Sequence, residues 1–233
     1  MPRQSSSESA DLVLPGSRSA LDPGRAIKPG RHGLPPEKVA QIQRDRLIDG
    51  FVLVVAEHGY SAVTISKVTE AAGVTKKAFY DHFASLDDCF LAAYEYGTGM
   101  LLALMTRSHQ AAPSWPEGIR AALRVMLKAL AAEEPFTRAS VVEVNAAGPR
   151  VRNARSRYLE GFRAFFADPG DGLPSIPAVV VDAVVGGIYG AVYVRVEAGQ
   201  TSELPALLPS LTYFALLPLL GRDEAARVSS ATH

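Results

Sequence analysis

The stretch 64–83, TISKVTEAAGVTKKAFYDHF, decides the fold of this chain. Its apolar residues recur at helical spacing in two short runs, and Thr64 and Thr75 stand where each run needs an N-terminal cap. Gly73 is predicted to end the first run, because a helix end commonly needs a left-handed residue that glycine supplies at little cost. Two short helices joined by a glycine turn are typical of a helix-turn-helix, whose second helix enters the major groove of DNA.

The second predicted helix opens with two cations, Lys76 and Lys77. Cations are unfavourable in a first turn by about 0.3–1 kcal/mol each, because the helix dipole is positive there. A neighbouring DNA phosphate would reverse that penalty. The alternative is that both lysines are solvated on a surface helix, and the capped position of the pair favours DNA contact.

A longer pattern surrounds this stretch: a glycine–aromatic pair closes the preceding helix, and motif residues follow at fixed spacing. The matching residues are Gly59, Tyr60, Thr64, Val68, Ala71, Gly73, Val74, Thr75, Phe79, Tyr80, His82 and Phe83. With this pattern, residues 39–96 resemble the DNA-binding domain of the TetR family of bacterial transcriptional regulators. The resemblance implies an all-α protein, in which an N-terminal helix-turn-helix domain precedes a helical domain for ligand binding and dimerisation.

The resemblance also implies partners and site residues. The expected partners are a double-stranded DNA operator, a small-molecule effector and a second copy of the chain, with no membrane. The protein would act in the cytoplasm as a homodimeric repressor that binds a palindromic operator and is released by its effector. The expected DNA-binding residues are Thr64, Ser66, Thr75, Lys76, Lys77, Tyr80 and His82.

Four segments are predicted. Residues 1–35 mix Ser, Pro and Gly with few large apolar residues and are expected to form a disordered arm. Residues 36–96 form the DNA-binding domain, residues 97–228 the second domain, and residues 229–233 a disordered tail. Between Arg25 and Arg46 the sequence has six basic residues and two acidic ones, a local excess of positive charge. The basic arm could lie in the minor groove of DNA, and the alternative is a solvated tail.

The two segments Pro177–Gly199 and Leu204–Val228 are the most apolar in the chain. Residues 204–221 include 18 positions without a charge, which is long enough to span a membrane. Their prolines, and charged residues in the preceding segment, favour burial between protein helices. Gly186, Gly187 and Gly190 lie on one face that suits close helix packing, and the TetR-like interpretation places these helices at a dimer interface.

Residues of the second domain suggest a ligand cavity, although a packed core would use the same residue types. The candidate lining residues are Met126, Phe136, Phe162, Phe166, Tyr189 and Tyr193. The arginines 150, 152, 155 and 157 open a predicted helix. They either pair with acids such as Glu143 and Glu160, or contact an acidic ligand or the DNA-binding domain.

Enzymatic and metal-binding interpretations have little support. The five histidines show no paired ligand spacing, and the single Cys89 excludes an intramolecular disulfide and fits a reducing cytosol. No phosphate loop or nucleophile elbow is present, so no catalytic residue, metal or cofactor is predicted. The remaining alternatives are a ligand-independent DNA-binding or architectural protein, and a membrane-associated or enzymatic helical protein with a fortuitous motif.

Overall fold

The computed structural model describes residues 13–19, 35–166, 169 and 176–231. Within these residues the regular structure is entirely helical, as predicted. The α-helices are α1 (Pro36–His58), α2 (Ile65–Ala72), α3 (Lys76–His82), α4 (Leu86–Gln110), α5 (Trp115–Ala132), α6 (Glu134–Val141), α7 (Pro149–Arg163), α8 (Ala178–Glu197) and α9 (Leu208–Ser230).

The predicted helix-turn-helix is confirmed in α2 and α3. The Thr64 hydroxyl accepts a hydrogen bond from the Lys67 N–H at 3.3 Å, and the Thr75 hydroxyl accepts one from the Ala78 N–H at 3.1 Å. Gly73 ends α2 with φ 61° and ψ 41°, the left-handed conformation that the turn requires. Local sequence therefore determines both helix starts and the turn between them.

Helix α1 crosses α2 at very short range, which the sequence pattern did not predict. A Cβ atom on Gly50 would lie 2.9 Å from the Ala72 backbone nitrogen, so only glycine fits at this crossing. Nearby, Arg46 donates from Nη2 to the Gly73 carbonyl at 3.3 Å. This bond satisfies a carbonyl at the turn and fixes the helix-turn-helix to α1.

Helix α4 runs without interruption through the predicted domain boundary at residues 96–97. Gly97 lies buried where α4 meets α6, and a Cβ atom there would fall 2.2 Å from the Phe136 ring. Gly99, by contrast, has no neighbouring atom within 4 Å of such a Cβ. Of these two glycines, only Gly97 therefore lies at a close helix crossing.

Residues 13–19 pack against the protein, so the expectation of a disordered arm does not hold for them. Leu14 is fully buried, and the Gly16 N–H donates to Asp49 Oδ1 at 2.8 Å. A Cβ on Gly16 would meet Val52 of α1 at 2.6 Å, and Pro15 approaches Gly97 of α4. A short apolar run of the otherwise polar N-terminal segment therefore packs against α1 and α4. We call residues 13–19 the N-terminal strap.

Apart from Pro35, which precedes α1, the rest of the predicted arm lies outside the described residues. This includes Arg25, Lys28 and Arg31, which were expected to reach DNA or remain solvated. Of the predicted C-terminal tail, residues 229 and 230 belong to α9, whose last residue is Ser230. Ser229 is buried, so helix packing extends slightly beyond the predicted end of the second domain.

The apolar core of the second domain takes buried side chains from all of its helices, α4 to α9. Helix α8 and the helical stretch Thr201–Ser230, which ends with α9, are long and apolar enough to cross a membrane by length and composition alone, with mean hydropathy 1.7 and 1.6 in their most apolar windows. About a third of each window is buried within the chain, 33% and 28% respectively, so each helix has one packed face and one outer face. Gly221, at φ 76°, divides α9 into two helical pieces.

The glycine face of α8 is mostly open. Added Cβ atoms on Gly186 and Gly190 would meet nothing within 4 Å, whereas one on Gly187 would lie 2.7 Å from the Phe214 ring of α9. Close packing within the subunit therefore involves Gly187 alone of the three.

The strap makes a testable contribution to stability. Leu14→Ala should lower the free energy of unfolding by about 2–5 kcal/mol, because it removes a fully buried side chain and leaves a cavity. Urea denaturation followed by circular dichroism measures the change. Val13→Ala, which trims the half-buried neighbour, is the matched control and should have a smaller effect. Equal stability of Leu14→Ala and the wild type would show that the strap is not docked in solution.

Candidate DNA-binding surface and effector cavity

One face of α3 is buried and the other is open to solvent. Ala78 and Phe79 point into the core, while Lys76, Lys77 and Tyr80 are exposed. The Tyr80 side chain is 60% exposed, which is unusual for a large aromatic residue unless it serves an interaction. The residues predicted to meet DNA at the start of α3 therefore form one continuous exposed surface.

The two lysines of α3 differ in their surroundings. Lys77 Nζ lies 3.0 Å from Asp81 Oδ2, one turn further along the helix, and its side chain is 83% exposed. Lys76 makes no ion pair with any residue that the structure describes. An exposed pair at this spacing is worth only about 0.3–0.5 kcal/mol, so a phosphate could readily replace Asp81. The sequence argument for Lys77 did not consider this ion pair with Asp81.

The hydroxyl residues expected at DNA lie around the same helix starts. Thr64, Ser66 and Thr75 are all exposed. Both threonine hydroxyls use their acceptor capacity for helix capping, and each retains an O–H donor that can point outward. A capping hydroxyl can therefore hold the helix start and donate to a phosphate at once.

His82 occupies a different environment at the end of α3. Its ring is partly buried, with its centroid 6.4 Å from that of Phe83. Burial, and to a smaller extent the nearby Arg44 cation, hold the pKa of His82 below its ordinary value. The ring is therefore neutral at pH 7, and any phosphate contact would use an N–H donor rather than a charge.

A cavity lies within the second domain, between α4, α5, α6, α7 and α8. The empty volume between its lining atoms is about 530 Å³, and part of this volume is open to solvent. The centre of a water molecule can occupy only about 50 Å³ of it. The walls are predominantly apolar. Five of the lining residues carry a hydroxyl group: Tyr94, Thr98, Ser140, Tyr158 and Tyr189. A narrow apolar cavity with a few polar groups is typical of a small-molecule site.

The structure places four of the six predicted pocket residues in this lining: Met126, Phe136, Phe162 and Tyr189. The other two lie elsewhere. Phe166 packs edge-on against Trp115 at a centroid distance of 6.2 Å, and the Tyr193 hydroxyl donates to Glu197 at 2.8 Å. The spacing of these six residues predicts that they face inward. It does not distinguish a residue of the cavity wall from one in the packed core or on the helix surface.

Sequence reasoning missed the contribution of α4 to the cavity. Tyr94 and Thr98 line it, although Tyr94 falls inside the predicted DNA-binding domain. Phe136 lines the cavity too, and it also belongs to the apolar core that contains Phe51 and Phe90. The cavity wall and the core of the DNA-binding domain therefore share side chains.

Polar contacts add to this junction. The Tyr60 backbone N–H donates to Glu143 Oε2 at 2.9 Å, and the Tyr60 hydroxyl donates to Asp87 at the start of α4. Burial, and secondarily the Asp87 hydrogen bond, raise the pKa of Tyr60, so its phenol remains protonated. These bonds link the end of α1 to α4 and to the segment that precedes α7.

Two arginines of α7 form ion pairs with acidic residues of α4. Arg150 pairs with Asp88, and Arg157 Nη2 lies 2.7 Å from Glu95, so two of them join α7 to α4. The acids expected from the sequence were Glu143 and Glu160, and α4 supplies the observed carboxylates instead. Because Asp88 and Glu95 both fall within the predicted DNA-binding domain, residues 36–96, the contact with that domain that the sequence left open is made by both Arg150 and Arg157.

Comparisons with known proteins agree with this architecture. Residues 47–93 match the family model described as bacterial regulatory proteins, tetR family. An uncharacterised helix-turn-helix transcriptional regulator of Bacillus subtilis strain 168, YerO, is 35% identical over 63 residues. That match covers 27% of this chain and 22% of YerO, so this chain spans about a fifth of the length of YerO.

Solved structures extend the likeness in fold to the second domain. The fatty acid degradation regulator FadR from Bacillus halodurans aligns with a TM-score of 0.67 at 20% identity, over 79% of this chain and 97% of that one. FadR from B. subtilis, solved in complex with stearoyl-CoA, gives 0.64 at 20% identity, over 76% and 97%. The chain therefore carries a DNA-binding domain of the TetR family of bacterial regulatory proteins at residues 47–93, and most of its length shares the fold of the solved regulator FadR.

Proposed function

We propose that the chain is a homodimeric, ligand-responsive repressor whose small-molecule effector releases it from a palindromic operator. The observation that carries this proposal is that the cavity shares its wall with the DNA-binding domain. Phe136 belongs to both, and α4 provides cavity residues at Tyr94 and Thr98 while its first turns pack against α1. A ligand that moves these side chains would move the helix on which the DNA-binding domain rests.

The DNA-binding role rests on the exposed surface of α2 and α3. Lys76 and Lys77 would pair with phosphates, Tyr80 and the hydroxyls would donate to the backbone, and the outer face of α3 would read base edges. Two such helices in a dimer would lie one turn of DNA apart and match the two halves of a palindrome.

The dimer would form through the outer face of α8 and α9. Val179 and Val194 of α8 are 72% and 61% exposed, and Phe214 and Leu217 of α9 are 43% and 38% exposed. Large exposed apolar residues on two neighbouring helices indicate an interaction surface. A second copy of the same face would cover it by two-fold symmetry, giving a four-helix interface.

The effector would bind the cavity and shift the dimer between two states. A coupling free energy of about 1–3 kcal/mol would suffice to change operator affinity five- to 150-fold. The similar FadR fold was solved with an acyl-CoA ligand, which supports a small-molecule role for the domain. The apolar outer face would serve dimerisation in the cytoplasm rather than a membrane. A ligand-independent DNA-binding protein is the alternative, and it predicts that no cavity ligand alters DNA binding.

Replacing both α3 lysines tests the DNA-binding surface. Lys76→Ala with Lys77→Ala should weaken binding to DNA selected by the wild type from a random pool. Each lost phosphate contact should lower the log–log salt slope by about 0.9. The thermal melt should not fall, because removing cations from a helix start does not destabilise it. Fluorescence anisotropy at several salt concentrations measures both effects.

Lys128→Ala is the matched control, since Lys128 is exposed on α5 in the second domain. Its affinity and salt slope should equal those of the wild type. A double variant of α3 that kept full affinity and slope would remove Lys76 and Lys77 from the DNA interface.

A glycine of α8 tests the dimer. Gly190→Leu should convert the dimer into monomers, because the subunit has room for the new side chain and a closely packed partner helix does not. Leucine also has a higher helix propensity than glycine, so α8 itself should not unfold. Sedimentation velocity gives the oligomeric state and circular dichroism the helix content.

The matched control is Gly99→Leu, the same substitution at another open, exposed glycine on a long helix. It should leave the dimer intact. A Gly190→Leu protein that still sedimented as a dimer at micromolar concentration would place the interface elsewhere. A monomeric wild type that bound operator tightly would refute the dimer altogether.

A further inference from the structure

Arg155 lies at the edge of the cavity. It precedes Tyr158, Leu159 and Phe162 by three, four and seven residues on α7, and these three residues line the cavity. Residues at that spacing share one face of a helix. Its guanidinium carbon also lies 5.4 Å from the ring centroid of Tyr189, another lining residue. The cation therefore packs against the cavity wall at Tyr189.

The described contacts of Arg155 are all to neutral groups. Nη1 donates to Asn145 Oδ1 at 2.6 Å and to the Tyr189 hydroxyl at 3.3 Å. The Tyr189 hydroxyl in turn donates to the Val141 carbonyl at 2.7 Å, so it is held in position. Nε of Arg155 is enclosed by protein atoms, with no hydrogen-bond partner among the described residues. A buried donor without a partner is uncommon and requires an explanation.

Other arginines of α7 provide the contrast. Arg150, Arg157 and Arg163 each form an ion pair with a carboxylate from a neighbouring helix. Arg155 has no such carboxylate within the described part of the chain. A partly buried guanidinium loses hydration, and that loss is normally offset by an anion. The geometry thus leaves one buried N–H donor of Arg155, next to Tyr189 of the cavity wall, without an acceptor in the described part of the chain.

We propose that the effector is an amphipathic acid, with an apolar body in the cavity and a carboxylate bound by Arg155. This inference rests on the proposed ligand-responsive function and specifies the chemistry of its ligand. Arginine binds carboxylates through two parallel N–H donors, and Nε with the adjacent Nη2 forms such a pair. The predominantly apolar walls suit a hydrocarbon chain rather than a sugar or nucleotide. The narrow space suits a slender chain.

Dodecanoate, 1-dodecanol, lauroyl-CoA and butyrate are suitable probes for the full-length dimer. They compare an acid, its neutral counterpart, a thioester without a carboxylate, and an acid without a long tail. Isothermal titration calorimetry should show that dodecanoate binds about ten- to a hundredfold more tightly than dodecanol. This is the difference in affinity that a charge-assisted hydrogen bond usually contributes. Butyrate should bind weakly, because it leaves most of the apolar cavity unfilled.

The decisive variant is Arg155→Gln. It should abolish the preference for dodecanoate over dodecanol while leaving the affinity for dodecanol unchanged. Arg155→Lys keeps the charge without the paired donors and should retain part of the preference. The matched control is Arg152→Gln, an exposed arginine one turn earlier on α7 that donates to the Ala147 carbonyl. It should bind dodecanoate like the wild type, and thermal melts verify that each variant is folded.

The outcomes separate this inference from the proposed function. Equal affinity of the wild type for acid and alcohol, or tighter binding of lauroyl-CoA that Arg155→Gln leaves intact, would overturn the carboxylate site while the ligand-responsive regulator stands. Selective, Arg155-dependent binding of dodecanoate that leaves operator affinity unchanged would support the site and refute effector release. Failure of every probe to bind the dimer would overturn the carboxylate site.

Discussion

The packing of Phe136 against Gly97 is the constraint on which the two parts of this molecule depend. The ring occupies the space where any larger residue on α4 would place its Cβ, so α4 and α6 are locked in register. Because α4 is one continuous helix, this contact also fixes the base of the DNA-binding domain. Pro15 of the N-terminal strap closes the same junction, which explains why a short piece of the N-terminal segment is ordered. A change at the cavity wall can therefore reach α1 through rigid, directly packed groups.

The second domain combines three surfaces that a helical bundle can keep separate. The inner faces of its helices enclose the cavity, the α7 arginines meet carboxylates of α4, and the outer faces of α8 and α9 remain apolar. Ion pairs at the exposed junction contribute little stability by themselves, since solvent screens them. They fix orientation instead, while the shared apolar side chains provide most of the cohesion. Under the proposed function, this division would let a ligand perturb the junction without unfolding either part.

Much of the DNA-binding domain could be predicted from the sequence, because its determinants are local. Thr64 and Thr75 cap helices within three residues of themselves, and Gly73 adopts a conformation that depends on its own backbone. The exposed positions of α3 could also be predicted, because they follow from the spacing of its apolar residues. Longer-range features escaped prediction. Gly50 matters only because α2 passes against it, and Lys77 is offset by Asp81 once the helix brings the pair together.

The sequence by itself determined the helical class, the helix-turn-helix and its family, since these follow from spacing, capping and composition over short distances. Tertiary structure alone decided which apolar residues line a cavity, and it separated Phe162 from Phe166 although both are buried aromatics of one segment. It also decided that Arg155 borders that cavity while Arg157 pairs with α4. The physical reason is that periodicity reports only which side of a helix faces inward. What lies on that side depends on contacts between residues far apart in the chain.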